Sequence, residues 1–238
     1  MRWWFVTFIL LLAARAAAAD EGILGVLARS QLARLDNAPS ADPAGARAQM
    51  VRASLETLAR ALSLRHPVEL RVITGETVAE TLQGRILLAN ESLADLSEGE
   101  RLFILAHELG HIELRHWEQT QQLYQKWVPG AVTPDQTEPV AALLGRDASG
   151  LGHRQELEAD AFALRTLHRL ALGSSQPLQD ASTALTHFGV IRDTPTHPGT
   201  GKRLAAMRAV DAQQPARRPG EIQATTRNEL IDSVSLPD

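Results

Sequence analysis

The 238-residue chain predicts an α+β fold, mostly helical, with a small sheet. Three observations carry that expectation. Leu and Ala recur at helical spacing through most of the length. Two short aliphatic runs, VELRVIT (68–74) and GRILLAN (84–90), stand together before the midpoint. Helical segments lie before and after these runs rather than between repeated strands, which is the order of a segregated α+β domain.

Taken in order, residues 22–35 and 44–64 read as two helices separated by NAPSADPAG, a run of turn formers. The two strand-like runs follow, each bounded by Pro, Gly or Asn. Ser97 and Glu100 have the form of a capping box and launch a helix predicted to continue to about Trp127, where Pro129-Gly130 stops it. The segment 129–152, with three prolines and four glycines, reads as loop. Helices are expected over about 153–172 and 178–188. The Pro/Gly-rich RDTPTHPGTG then leads to a last helix near 202–210.

Composition is that of a globular domain, 44% apolar and 22% charged. Aromatics are only 4%, so Leu, Ala, Val and Ile must build the core. Residues 1–19 read as a cleaved secretory signal: Arg2, an apolar run from Trp3 to Ala14, and small residues before Asp20. An uncleaved N-terminal anchor is the alternative. The run is shorter than the roughly 20 apolar residues of a span, and no later segment is apolar enough to cross a bilayer. The expected division is therefore signal 1–19, one domain over 20–212, and a polar tail over 213–238, with a periplasmic or secreted destination. Cysteine is absent, which excludes disulfides and thiolate ligands and leaves stability to the core or a bound metal. Removing the signal lowers basic residues from 24 to 22 against 28 acids and moves the net charge from −4 to −6. That balance argues against nucleic acid and anionic membranes as partners.

The chemistry is concentrated in 107-HELGH-111. Residues four apart on a helix share a face, so His107 and His111 can present two imidazole nitrogens to one point. Glu108 is rotated by roughly 100° and its carboxylate can reach a water there as general base. Phe103, Ile104, Leu105, Leu109 and Ile112 surround the helix with apolar side chains, so it is expected to be buried. Gly110 within it implies close packing. A zinc site needs a third protein ligand. In 156-ELEAD-160, Glu156 and Asp160 share a face with Ala159 nearby and Ala163 beyond, which lets that helix approach closely. Glu156 is the candidate ligand and Asp160 a hydrogen-bond partner for a ligand histidine. Glu158 points to another side.

HELGHIELRH, ELEAD and 196-THPGTGKR-203, in that order, resemble the HtpX- and BepA-related zinc endopeptidases, gluzincins akin to the CAAX prenyl endopeptidase. The resemblance covers roughly residues 82–204 and implies a zincin-like domain. It implies one Zn²⁺ per chain on His107, His111 and Glu156, Glu108 as catalytic base, and Asp160 behind the ligands. It places His197 over the metal, either donating to the oxyanion or capping the zinc at rest. It makes Arg203 the arginine that closes the His-Pro loop motif and holds it in place, behind the ligands with Asp160. The chain lacks the several membrane helices of HtpX and the repeat array of BepA, so specificity and docking do not transfer.

The expected activity is hydrolysis of protein or peptide substrates, envelope proteins among them, through a zinc-activated water. The alternative is an envelope chaperone or assembly factor with a non-catalytic or self-capped zinc. GRILLAN reads either as a sheet edge that pairs with substrate or as a plain core strand. His116 reads as helix packing or function, and Glu113 as a solvated side chain. His66, His153, His168 and His187 read as structural or surface residues. Tyr124, about three turns past His111, is not assigned to the site.

Overall fold

The computed structural model describes residues 22–64, 67–170, 176–188 and 191–213. The predicted signal at 1–19, His66 and the tail beyond Gln213 lie outside them. Helices α1 (Ile23–Asn37) and α2 (Ala46–Leu62) precede the strands β1 (Glu69–Ile73), β2 (Ala79–Leu82) and β3 (Ile86–Asn90). After a 3-10 turn (Glu91–Asp95) come α3 (Glu98–Glu113), α4 (His116–Trp127), the single turn α5 (Pro134–Thr137), α6 (Ala141–Leu170), α7 (Pro177–Phe188) and α8 (Thr200–Ala212). No helix among the described residues is long and apolar enough to cross a membrane.

The sheet order is β1-β3-β2, with β1 parallel and β2 antiparallel to β3. All five residues of β3 are buried. GRILLAN is therefore the central core strand, and its reading as a substrate-pairing edge is corrected. The edge is β2, AETL, too short and too polar to stand out in the sequence. It joins β3 through a three-residue loop, 83–85, in which the Arg85 N–H donates to the Leu82 carbonyl and Gln83 and Gly84 both take positive φ (51° and 63°), as the central residues of a type I′ turn do.

Helix α3 begins at the expected capping box: the Ser97 hydroxyl accepts from the Glu100 N–H and the Glu100 carboxylate accepts from the Ser97 N–H. Leu102, Phe103, Leu105, Ala106 and Leu109 on it are fully buried. The helix does not continue to Trp127. Arg115 adopts a left-handed conformation (φ 57°) and α4 starts afresh at His116.

The loop expected over 129–152 is also corrected. Pro134 and Pro139 sit at helix N-termini, where the missing N–H costs nothing. Gly145 and Gly150 lie on the open side of α6, with nothing within 4 Å of where a Cβ would stand. Each costs about 1 kcal/mol of helix propensity. The packed half of α6 offsets this, burying Leu151, Ala159, Phe162, Ala163, Leu164 and Leu167.

Helices α3 and α6 meet through small residues, as the sequence predicts. A Cβ on Gly110 would lie 3.1 Å from Ala159 Cα and 3.3 Å from Phe162. Ala159 and Ala163 are both fully buried. This close approach is what brings the two motif helices to one site.

Candidate active site

Helix α3 carries His107, Glu108 and His111 to the floor of a cavity of about 340 Å³. Helix α6 delivers Glu156 opposite them. Its carboxylate lies 3.5 Å from the Nε2 of His107 and 3.5 Å from that of His111. The two Nε2 atoms are 3.2 Å apart. One ligand atom from each of these residues falls within 4.8 Å of the others.

This corner fits a zinc ion on two counts. Tetrahedral bonds of about 2.0–2.1 Å place neighbouring ligand atoms about 3.3 Å apart, close to the spacings found. The second count is the protonation pattern of His107. Its Nδ1 lies 3.0 Å from Asp160 Oδ1, and an ionised carboxylate can only accept. In a neutral His107 the hydrogen therefore sits on Nδ1, which leaves the Nε2 lone pair for a metal at the corner shared with His111 and Glu156. Burial opposes a positive charge on His107, but hydrogen bonds to Asp160 and Glu156 outweigh it and lift its pKa to about 10. The corner favours positive charge: a proton stands on Nε2 in the metal-free protein, and a zinc ion would take its place.

Asp160 is wholly inaccessible and accepts from Arg203 Nε (2.7 Å) and Nη2 (2.6 Å). Burial raises its pKa, the Arg203 guanidinium overcomes this, and the net shift is downward. Burial works against the charge on Glu156 as well, yet its hydrogen bonds to His107 and His111 hold its carboxyl well below the usual range. Arg203, in the first turn of α8 just after the His-Pro loop, stands behind the ligand residues with Asp160. Besides the fork on Asp160, its Nη1 lies 3.4 Å from Glu156.

The loop is held by its own contacts. The Thr194 N–H donates to the His197 carbonyl (2.8 Å), the His197 N–H to the Thr194 hydroxyl (3.0 Å), and the Gly199 N–H to Asp193 (2.8 Å). Asp193 also pairs with Lys202. On α6, His153 Nε2 bonds the Thr194 carbonyl at 2.7 Å, a structural role. His197 so placed lines the cavity, with its side chain 47% exposed and Nε2 3.6 Å from Glu156 Oε1. It lies outside the three-residue ligand group. His168 pairs with Asp211 at 2.8 Å, remote from these contacts.

One neighbour, Thr81, escaped the sequence reading, and two others, His116 and Glu158, were read without a place at the site. Thr81 Oγ1, on β2, lies 2.9 Å from Glu108 Oε2 and 2.9 Å from the Glu108 carbonyl. An alternating VAETL was its only signal. His116 is buried, with Nδ1 2.9 Å from His111 Nδ1 and Nε2 3.1 Å from Glu158. Burial lowers the His116 pKa, with Glu158 acting in the opposite direction.

An HExxH helix packed against an acid-bearing helix and beside a small sheet is a zincin-like arrangement, and it defines the class: a zinc metallopeptidase, a hydrolase of peptide bonds. The sequence profile of peptidase family M48 matches residues 45–211, and the chain belongs to that family. A search of the curated proteins found no match. The family match agrees with the resemblance to HtpX- and BepA-like enzymes and begins just before α2, leaving α1 outside it.

Proposed function

We propose that the protein is a zinc-dependent endopeptidase of the periplasm or the extracellular space, binding one zinc per chain through His107, His111 and Glu156. The observation that carries this reading is the convergence of two imidazole Nε2 atoms and one carboxylate on a cavity floor, with Glu108 lining the same cavity. When bound, zinc supplies Lewis acidity, lowering the pKa of water from 15.7 towards about 7 and polarising a carbonyl. Glu108, oriented by Thr81, takes the proton of the attacking water and passes it to the departing amine. His197 donates to the oxyanion, a contribution of roughly 10²–10³ in rate for one donor. Its exposure and its place outside the ligand group favour this role over a permanent cap and a non-catalytic zinc.

An extended substrate pairs along β2, the sheet edge whose residues 79–81 line the cavity. The signal-like residues 1–19 support export, which makes envelope proteins the substrate class.

Casein cleavage, measured with and without a zinc chelator, tests the activity, and Glu108→Gln tests the base. The variant should keep zinc and lose about 10²–10⁴-fold in rate. Cleavage that survives both the chelator and the substitution refutes the proposal. Mass spectrometry of proteins trapped on Glu108→Gln then identifies natural substrates.

A further inference from the structure

His116 and Glu158 have no part in the reaction as set out above, yet His116 stands against a ligand histidine and Glu158 against His116. We propose that His116, held by Glu158, positions His111 for the metal; this rests on the zinc-site reading above. The two ligand histidines are supported differently. His107 Nδ1 meets the carboxylate of Asp160 directly, at 3.0 Å. His111 Nδ1 instead meets the Nδ1 of His116 at 2.9 Å, with ring centroids 4.9 Å apart and planes at 77°. His116 is 3% exposed, and its far nitrogen lies 3.1 Å from Glu158 Oε2.

The direction of this chain follows from its acidic end. An ionised Glu158 only accepts, so His116 Nε2 carries the hydrogen. A neutral His116 then has its lone pair on Nδ1, and the hydrogen between the two Nδ1 atoms belongs to His111. A neutral His111 then keeps its Nε2 lone pair for a metal at the corner formed by Glu156 and His107 Nε2. A single carboxylate on α6 thus fixes the tautomers of two successive histidines in the sense that metal binding needs.

The backbone is arranged for this contact. In an uninterrupted helix His116, five residues on, would be rotated roughly 140° from His111. The left-handed Arg115 breaks the helix and returns His116 beneath the His111 ring. Helix α6 then pins His116 twice: Gln155 Nε2 donates to its carbonyl at 3.0 Å, and Glu158 holds its ring. ELEAD therefore has three uses on three sides, with Glu156 facing the ligand corner, Glu158 behind His116 and Asp160 behind His107.

The test compares His116→Leu, which keeps apolar bulk but has no acceptor, with His116→Asn, whose carbonyl can stand where Nδ1 stood. Zinc affinity by chelator competition, the absorption spectrum of the cobalt-substituted protein and the melting temperature of the metal-free protein are read for each. His116→Leu should bind zinc about 10–100-fold more weakly and shift the cobalt bands, while His116→Asn stays within about threefold of the parent. Glu158→Gln, which keeps an acceptor but loses the charge that sets the direction, should fall between them. It also serves as the second variant if His116→Leu does not fold. Equal losses in the Leu and Asn variants, or a Leu variant with parental zinc affinity, overturn the positioning role. A parent protein that binds no zinc overturns the metal site itself, and the inference with it.

Discussion

Arg203→Met removes a guanidinium from one of the most buried charges in the molecule. Asp160 is fully inaccessible and its two oxygens accept from Arg203 at 2.7 and 2.6 Å. Without that fork the carboxylate keeps only His107 as a side-chain partner. Breaking a buried ion pair by removing one member costs about 3–5 kcal/mol, because the other charge stays in a medium that cannot solvate it. In a chain of this size each kcal/mol moves the melting temperature by about 2–4 °C, so the variant should melt about 6–20 °C lower. Thermal unfolding in chelator, which separates the pair from any bound metal, measures this. The paired substitution Asp160→Asn with Arg203→Met, which leaves no orphaned charge, should recover part of the loss. The pH dependence has a definite sign. Asp160 has a folded pKa below its unfolded value of about 3.9, so its contribution is complete above that value and is lost as pH falls through the lower, folded one. The gap between parent and Arg203→Met is therefore widest near neutrality and closes in acid. A single variant within about 1 kcal/mol of the parent, or a double variant no more stable than the single, refutes the ion pair as the source of stability.

Gly110→Val drives a branched side chain into Ala159 and Phe162, and overpacking of this kind costs about 1–3 kcal/mol; unfolding and zinc titration should show a lower melting temperature together with weaker zinc binding. Thr81→Val removes the hydroxyl on Glu108 while keeping shape, so kcat should fall with zinc affinity unchanged. Adding zinc to chelator-treated protein should stabilise it by about 4.1 kcal/mol at a thousandfold excess over Kd, read as a rise of about 8–16 °C in melting temperature. An unmoved melting temperature would count against a folded-state zinc site.

The ligand constellation was legible because each half is local. His107, Glu108 and His111 are fixed relative to one another by helical periodicity alone, and so are Glu156 and Asp160. The small residues Gly110 and Ala159 then announce that the two helices touch. What the sequence hid depends on non-local choices. No glycine or proline marks the helix break at Arg115, so His116 could not be placed behind His111 in advance. The prolines and glycines of 129–152 look like breakers, yet the structure sets two prolines at helix starts and turns two glycines away from any neighbour. Strand β2 exists because β3 offers it a register, Ala79 to Ala89 through Leu82 to Ile86, and four residues alone carry too little pattern to show it. Motif order set Arg203 behind the ligands with Asp160, but not that its guanidinium would reach both Asp160 and Glu156 of α6, which depends on how α8 packs.

Three buried carboxylates meet one buried guanidinium at this site: Glu108, Glu156 and Asp160 against Arg203. With His107 neutral, as a metal ligand must be, they leave two negative charges in a place where unpaired charge is expensive, and a divalent cation would supply the balance that a proton on His107 otherwise supplies in part. The three acids nevertheless have different work, and their partners explain the division. Asp160 is locked in the bidentate fork of Arg203, so it stays ionised and acts as a fixed acceptor for His107. Glu156 faces the Nε2 atoms of two imidazoles, a place where it can share a metal with them, which suits a ligand. Glu108 meets a neutral hydroxyl, that of Thr81, and a hydroxyl orients a carboxylate without neutralising it. Separating acids by environment is how one pocket assigns distinct roles to like groups. Glu156 and Asp160 both lie against the Arg203 guanidinium, whereas Glu108 is held by a neutral hydroxyl, the environment that suits a base rather than a ligand or a fixed acceptor.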